Sequence, residues 1–179
     1  MTASTHEALT RVWPRPHVSC MAPQSSSSAF LSPAPLSHVA TALVEAPAED
    51  VFAFLADPVA LGEWSLGCMR TQASDIAGVY TGWSLFDGSQ AWFEIVADAR
   101  LLLIDYHVGS QARRMPRISA RVVPGSVCGL TDAQCYASLT AWRPQGMEAG
   151  RWARLCSAHE TEIWLIKEQI EAKYRPALP

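Results

Sequence analysis

Read from its first sustained pattern, the chain alternates apolar and polar positions over His38-Val39-Ala40-Thr41-Ala42-Leu43-Val44-Glu45, which predicts a strand with one buried face. Ala46-Pro47-Ala48-Glu49-Asp50 then opens a helix. Proline costs nothing in a first turn, and the two acids lie at the helix's positive end. Val51, Phe52, Phe54 and Leu55 supply its buried side. Asp57-Pro58 repeats the device as N-cap and first-turn proline, so a second short helix follows directly, with Gly62 as its expected stop. Six further segments read as strands: Ser65–Ala73, Val79–Phe86, Ala91–Asp98, Leu101–Gly109, Arg117–Pro124 and Gln134–Arg143. Tight turns separate them, the strongest being Asp87-Gly88, and such short connections make an antiparallel meander because parallel neighbours need crossovers. From Ala149 to Tyr174 the period changes. Trp152, Leu155, Cys156, His159, Ile163, Ile166 and Ile170 recur at three- and four-residue steps, the stripe of one long amphipathic helix. The order predicts an α+β fold in which a curved antiparallel sheet wraps a long C-terminal helix, with two short helices after the first strand.

Residues 1–37 carry no such pattern. Five prolines and Ser25-Ser26-Ser27-Ser28 mark a Pro/Ser-rich leader expected to be disordered, and the patterned domain is placed at residues 38–175. Met21 is an alternative start, and a targeting peptide is the lesser reading of Arg11 and Arg15. A chain of 179 residues, 49% hydrophobic, is long enough for one domain with a sizeable core. Seventeen acids against fourteen bases leave a net charge of −3, which gives no electrostatic case for nucleic acid. Leu101-Leu102-Leu103-Ile104 is the longest aliphatic run, so no membrane span is expected. Five cysteines and five histidines lack metal-ligand spacing. They are read as reduced cysteines filling small apolar sites, with no metal, no cofactor and a cytoplasmic setting by default.

The run Ala46-Pro47-Ala48-Glu49-Asp50-Val51-Phe52, then Asp57-Pro58, Trp64, Gly78 before a strand, and the helix from His159-Glu160-Thr161-Glu162-Ile163 through Lys167 to Ile170-Glu171 resemble the SRPBCC superfamily. Its members include START, Bet v 1-like and polyketide cyclase/dehydrase-like proteins. The resemblance covers about Val39 to Lys173 and implies the helix-grip fold, in which hydrophobic or amphiphilic molecules are held between sheet and long helix. It implies no catalytic residue, since no motif of an enzymatic branch is matched.

Strand alternation sorts the candidate side chains. Leu102, Ile104, Tyr106 and Val108 form the inward set of one strand, leaving Asp105 and His107 on a hydrated outer face. Ile118, Ala120 and Val122 are likewise inward, as are Cys135, Ala137, Leu139 and Ala141. His159 lies in the helical stripe, where an imidazole can move a proton near neutrality or hold a ligand oxygen. The plainer account, preferred here, is a core histidine satisfied by a strand carbonyl, Glu94 or Tyr106, because no nucleophile or orienting carboxylate is evident. Seven tryptophans supply aromatic surface, of which Trp64, Trp83, Trp92 and Trp152 fall in elements that border the expected cavity. Arg113, Arg114 and Arg117 cluster near its mouth, where they would meet a carboxylate or phosphate, though a solvated loop is the simpler reading.

The candidate ligand-binding set is therefore Trp64, Trp83, Phe93, Tyr106, Trp152, His159 and Ile163. Three functions are compatible with it. A carrier or sensor of a small hydrophobic molecule needs one or two orienting polar groups. A cyclase/dehydratase-like enzyme needs at least two titratable groups converging in the cavity, and His159, Tyr106 and Glu94 are the candidates. A protein-interaction module would engage a partner with its curved sheet. With one inward histidine legible, the carrier leads.

Overall fold

The structure is a computed structural model that describes residues 35–174. The predicted leader falls outside the described residues except for its last three, as do Met21, Arg11 and Arg15. The elements run β1 (Ser37–Val44), α1 (Ala48–Ala56), α2 (Pro58–Trp64), β2 (Met69–Ala73), β3 (Tyr80–Trp83), β4 (Gln90–Asp98), β5 (Leu103–Gly109), β6 (Arg114–Pro124), β7 (Cys135–Trp142) and α3 (Ala149–Glu171). All seven strands form one antiparallel sheet in the order β1-β7-β6-β5-β4-β3-β2. Only β1 leaves the meander, crossing to pair with β7 from Ser37 opposite Trp142 to Val44 opposite Cys135. With α3 against its inner face, this is the α+β helix-grip architecture.

The inner face of the sheet is apolar by strict alternation. Ala40, Ala42 and Val44 of β1 meet Ala137, Leu139 and Cys135 of β7, and Ala120 and Val122 of β6 continue the layer. Val51, Phe54 and Leu55 of α1 and Ile163, Ile166 and Ile170 of α3 close over it. At roughly 2 kcal/mol for each large aliphatic side chain removed from water, this layer is what holds α3 to the sheet. Three polar tethers fix the helix along its length. The Leu66 amide donates to Glu162 at 2.7 Å, Lys167 donates to the Leu43 carbonyl at 2.9 Å, and the Glu45 amide donates to Glu171 at 2.8 Å.

Local chemistry explains where the elements begin and end. Asp57 caps α2 by accepting the Val59 amide at 2.8 Å, and Pro58 is its first residue. The helix does not stop at Gly62 but runs on to Trp64. Gly62 is there for a different reason: Thr71 of β2 lies so close that a Cβ at this position would sit 2.6 Å from its amide nitrogen. Exposed-helix propensity would credit Gly62→Ala with a gain of about 1 kcal/mol. The contact reverses the sign, and we expect a loss of about 1–3 kcal/mol in urea unfolding, the range for overpacking.

Four strand boundaries differ from the pattern reading. Ser65–Cys68 is a turn closed by the Cys68 amide on the Ser65 carbonyl, so β2 starts only at Met69. The β3–β4 connection spans residues 84–89, with Gly88 at φ 66° and Asp87 accepting from both the amide and the hydroxyl of Ser89. Leu102 takes φ 49° in the turn before β5. β6 begins three residues early, which places Arg114 on a strand instead of a loop and Arg117 inside the strand instead of at its start.

Candidate functional site

Between the sheet, α2 and the first half of α3 lies a cavity of about 590 Å³. Its apolar wall comprises Leu61 and Trp64 of α2, Phe93 of β4, Tyr106 of β5, Ile118 of β6 and Leu139 of β7. Strand alternation aims these residues inward, and α2 ends at Trp64 with the indole held edge-on to Tyr106, their rings 6.1 Å apart. Towards the open end the lining changes character. Ser84, Asp87 and Ser89 of the β3–β4 connection, Gln90 at the start of β4, and Arg117, Arg151 and Arg154 all contribute to it.

Of the seven predicted site residues, Trp64, Phe93, Tyr106 and His159 line this cavity; Trp83, Trp152 and Ile163 do not. Trp83 pairs with Gln90 across β3–β4, on the strand face opposite Phe93, and is 45% exposed. Trp92 shares that outer face. Trp152 and Ile163 are buried in the packing of α3.

Three polar atoms of the lining are buried and have no hydrogen-bond partner among the described residues: Trp64 Nε1, His159 Nδ1 and Arg117 Nη1. Tyr106 is different. Its hydroxyl donates to the Leu55 carbonyl at 2.8 Å, and full burial raises the phenol far above its ordinary value. It is thus a fixed aromatic wall, not a proton donor to a guest. The Cys68 thiol, also in the wall, is pushed up to about 12 by burial and then by the charge of Glu162, so it is no nucleophile near neutrality.

The helical stripe contains a carboxyl that apolar periodicity passes over. Glu162 is 3% exposed and one turn beyond His159, with Oε2 3.9 Å from His159 Nε2. Burial pushes it up to about 7, against the opposing pull of the Leu66 and Gly67 amides and the Ser65 hydroxyl. Burial, then the neighbouring His38 and Arg117, hold His159 down to about 4. At neutral pH the imidazole is therefore uncharged, and the 3.9 Å approach is neither an ion pair nor a hydrogen bond. This corrects the expectation that His159 has no carboxylate nearby and that Glu94 or Tyr106 satisfies it. Glu94 lies on the outer face, 3.1 Å from His107 Nδ1 and 3.5 Å from Arg114 Nε. Of the arginine cluster, Arg113 is exposed, Arg114 joins this outer group, and Arg117 alone reaches the cavity.

Among the described residues no cluster of three or more histidine, cysteine or acidic side chains could hold a metal ion, and no helix is long and apolar enough to cross a membrane.

No protein-family model matches the chain, and no curated protein matches its sequence. Solved structures do match its fold. The Zhui aromatase/cyclase from Streptomyces sp. R1128 aligns with a TM-score of 0.57 and 17% identity, covering 79% of this chain and 96% of its own. The di-domain aromatase/cyclase BexL of the BE-7585A biosynthetic pathway aligns at 0.55 and 19%, over 78% of this chain and 48% of its own. XoxI from Bacillus cereus aligns at 0.61 and 9%, over 79% of this chain and 100% of its own. The chain thus shares the fold of these solved structures, the α+β arrangement expected from its opening motif and last helix.

Proposed function

We propose that this protein binds a small hydrophobic or amphiphilic molecule between the sheet and α3, as a carrier or sensor in a cytoplasmic setting. The observation that supports the reading is a 590 Å³ cavity whose aromatic wall carries the unpartnered donor Trp64 Nε1–H and the unpartnered His159 Nδ1. A volume of this size suits a drug-sized molecule, and apolar walls with a few converging polar atoms are the ordinary form of such sites. An unpaired buried polar atom costs about 1–3 kcal/mol, so a guest that offers oxygen to Trp64 or His159 gains what the empty wall lacks.

One observation favours a second reading, an enzyme of the cyclase/dehydratase kind. Glu162 gives the cavity the second titratable group that chemistry requires. With its carboxyl near 7 it is poised to give or take a proton at neutral pH, while neutral His159 holds a substrate oxygen. The amide of Leu66 already occupies Glu162 Oε1, which ties this carboxyl to the α2–β2 turn and keeps binding as the first reading.

Glu162→Gln separates the two. It keeps hydrogen-bonding capacity but not titration. As a binding site, the cavity should lose no more than about tenfold in affinity for a retained or screened ligand, as for one altered hydrogen bond. As an active site, it should bind normally while turnover falls by about a hundredfold or more. Turnover that depends on Glu162 would overturn the carrier reading. Native mass spectrometry of protein from its own host identifies the molecule to use.

A further inference from the structure

The chemistry of the cavity's open end restricts the ligand further. Arg117 comes from β6 and Arg151 and Arg154 from the first turns of α3, so three arginines line the cavity, with Arg117 and Arg151 close enough to feel each other's charge. None of the three is in an ion pair within 4 Å among the described residues. Arg117 Nη1 is buried without a hydrogen-bond partner. Asp87 also lines the cavity; its Oδ1 accepts from the Ser89 amide and hydroxyl, and its charge reaches Arg151 only at a distance beyond an ion pair. The concentration of positive charge stands out in a chain whose net charge is −3. The amino end of α3 does not account for it, because Glu148 already accepts the Gly150 and Arg151 amides there.

We propose that the ligand is an amphiphilic oxyanion, its apolar body against Trp64, Phe93 and Tyr106 and its anionic head held by Arg117, Arg151 and Arg154. This rests on the binding reading and narrows it. Burial and the like charge of Arg151 both work against the Arg117 cation, and an oxyanion between the two relieves both. Guanidinium forks match carboxylate and phosphate oxygens in pairs, which fixes the head while the aromatic wall tolerates varied bodies.

A matched pair of probes tests this: 1-anilinonaphthalene-8-sulfonate and N-phenyl-1-naphthylamine, which share an aromatic body and differ in the sulfonate. The anionic probe should bind the full chain at least about tenfold more tightly, the least expected from one charge-assisted hydrogen bond. Its advantage should shrink as salt rises from about 50 to about 500 mM. Arg117→Met should remove about tenfold or more of the anionic probe's affinity and leave the neutral probe unchanged. Arg151→Gln, at an exposed position that cannot upset the core, should act in the same direction. Equal affinities for the two probes, or parallel losses of both in the variants, would overturn the oxyanion assignment and leave the cavity reading intact. Failure of both probes to bind would overturn the cavity reading itself. Competition by dodecanoate against dodecyl phosphate then tells a carboxylate head from a phosphate one, either result supporting the proposal. Displacement by dodecanol as strong as by both would refute it.

Discussion

A Glu162→Gln protein is expected to grow more stable as pH rises from about 4 to about 6.5, a range over which the wild-type protein holds nearly level. The two buried groups of the cavity pull in opposite directions. Glu162 titrates near 7 when folded and near 4.5 when unfolded, so the native state holds its proton more tightly. Its contribution is complete below pH 4.5 and is lost as pH rises through 7. His159 titrates near 4 when folded and near 6.5 when unfolded, so the unfolded chain takes the proton first. Its contribution is complete above pH 6.5 and is lost as pH falls through 4. Each displacement corresponds to about 3 kcal/mol, and between pH 4.5 and 6.5 the slopes cancel. Glutamine at 162 still accepts the Leu66 amide but leaves the histidine slope alone. His159→Gln leaves the opposite slope, with stability declining from pH 4.5 to 7. Urea midpoints at pH 4.5, 5.5, 6.5 and 7.5, compared variant against wild type, measure both. A Glu162→Gln curve parallel to wild type would show that Glu162 titrates in solvent and is no buried cavity group.

Trp152→Ala should cost about 3–5 kcal/mol and lower the thermal midpoint by roughly 10 °C or more. Trp152 is 5% exposed although it stands only four residues into α3, at the end of the helix that also presents Arg151 and Arg154 to the cavity. Burial of the ring docks the amino end of α3, the segment that carries both arginines. A change below about 1 kcal/mol would mean that the amino end of α3 is not docked, and the geometry of the arginine cluster would fall with it.

Much of the fold was legible because the chain's local and global signals agree. Alternation assigned the inner faces of β5, β6 and β7, and Asp57-Pro58 marked α2, because each choice is enforced within a few residues. Gly62 was misread as a stop since its reason is Thr71, which lies on another element. Glu162 was missed on the same ground. A charged residue in an apolar stripe reads as solvent-facing unless its partners are known, and the Leu66 amide that receives it is 96 residues away. Arg117 stood at the predicted start of its strand, but its reach into the cavity was not legible, because the register of β5 against β6 shifts between Tyr106 and His107, which no periodicity announces. Trp83 and Trp92 were placed beside the cavity by the elements they fall in, whereas pairing phase puts both on the other face from Phe93. The deeper end of the site, with Trp64, Phe93, Tyr106 and His159, followed from alternation and helical period. Its charged end did not, because charge in a cavity depends on which distant segments converge.

The pairing of β1 with β7 sets the order in which the molecule can assemble. Every other neighbouring pair in the sheet is adjacent in sequence, so β2 to β7 can zip as hairpins while the chain is still leaving the ribosome. β1 emerges first and has no partner until Trp142 has been made. Until then Val39, Leu43 and Val44 form an unpaired β-prone edge that invites intermolecular pairing. The last closure also joins the most distant parts of the domain, since α3 packs on β1 and β7 together. Long loop closure of this kind is slow, and β1 waits for its partner while every described strand between it and β7 is made.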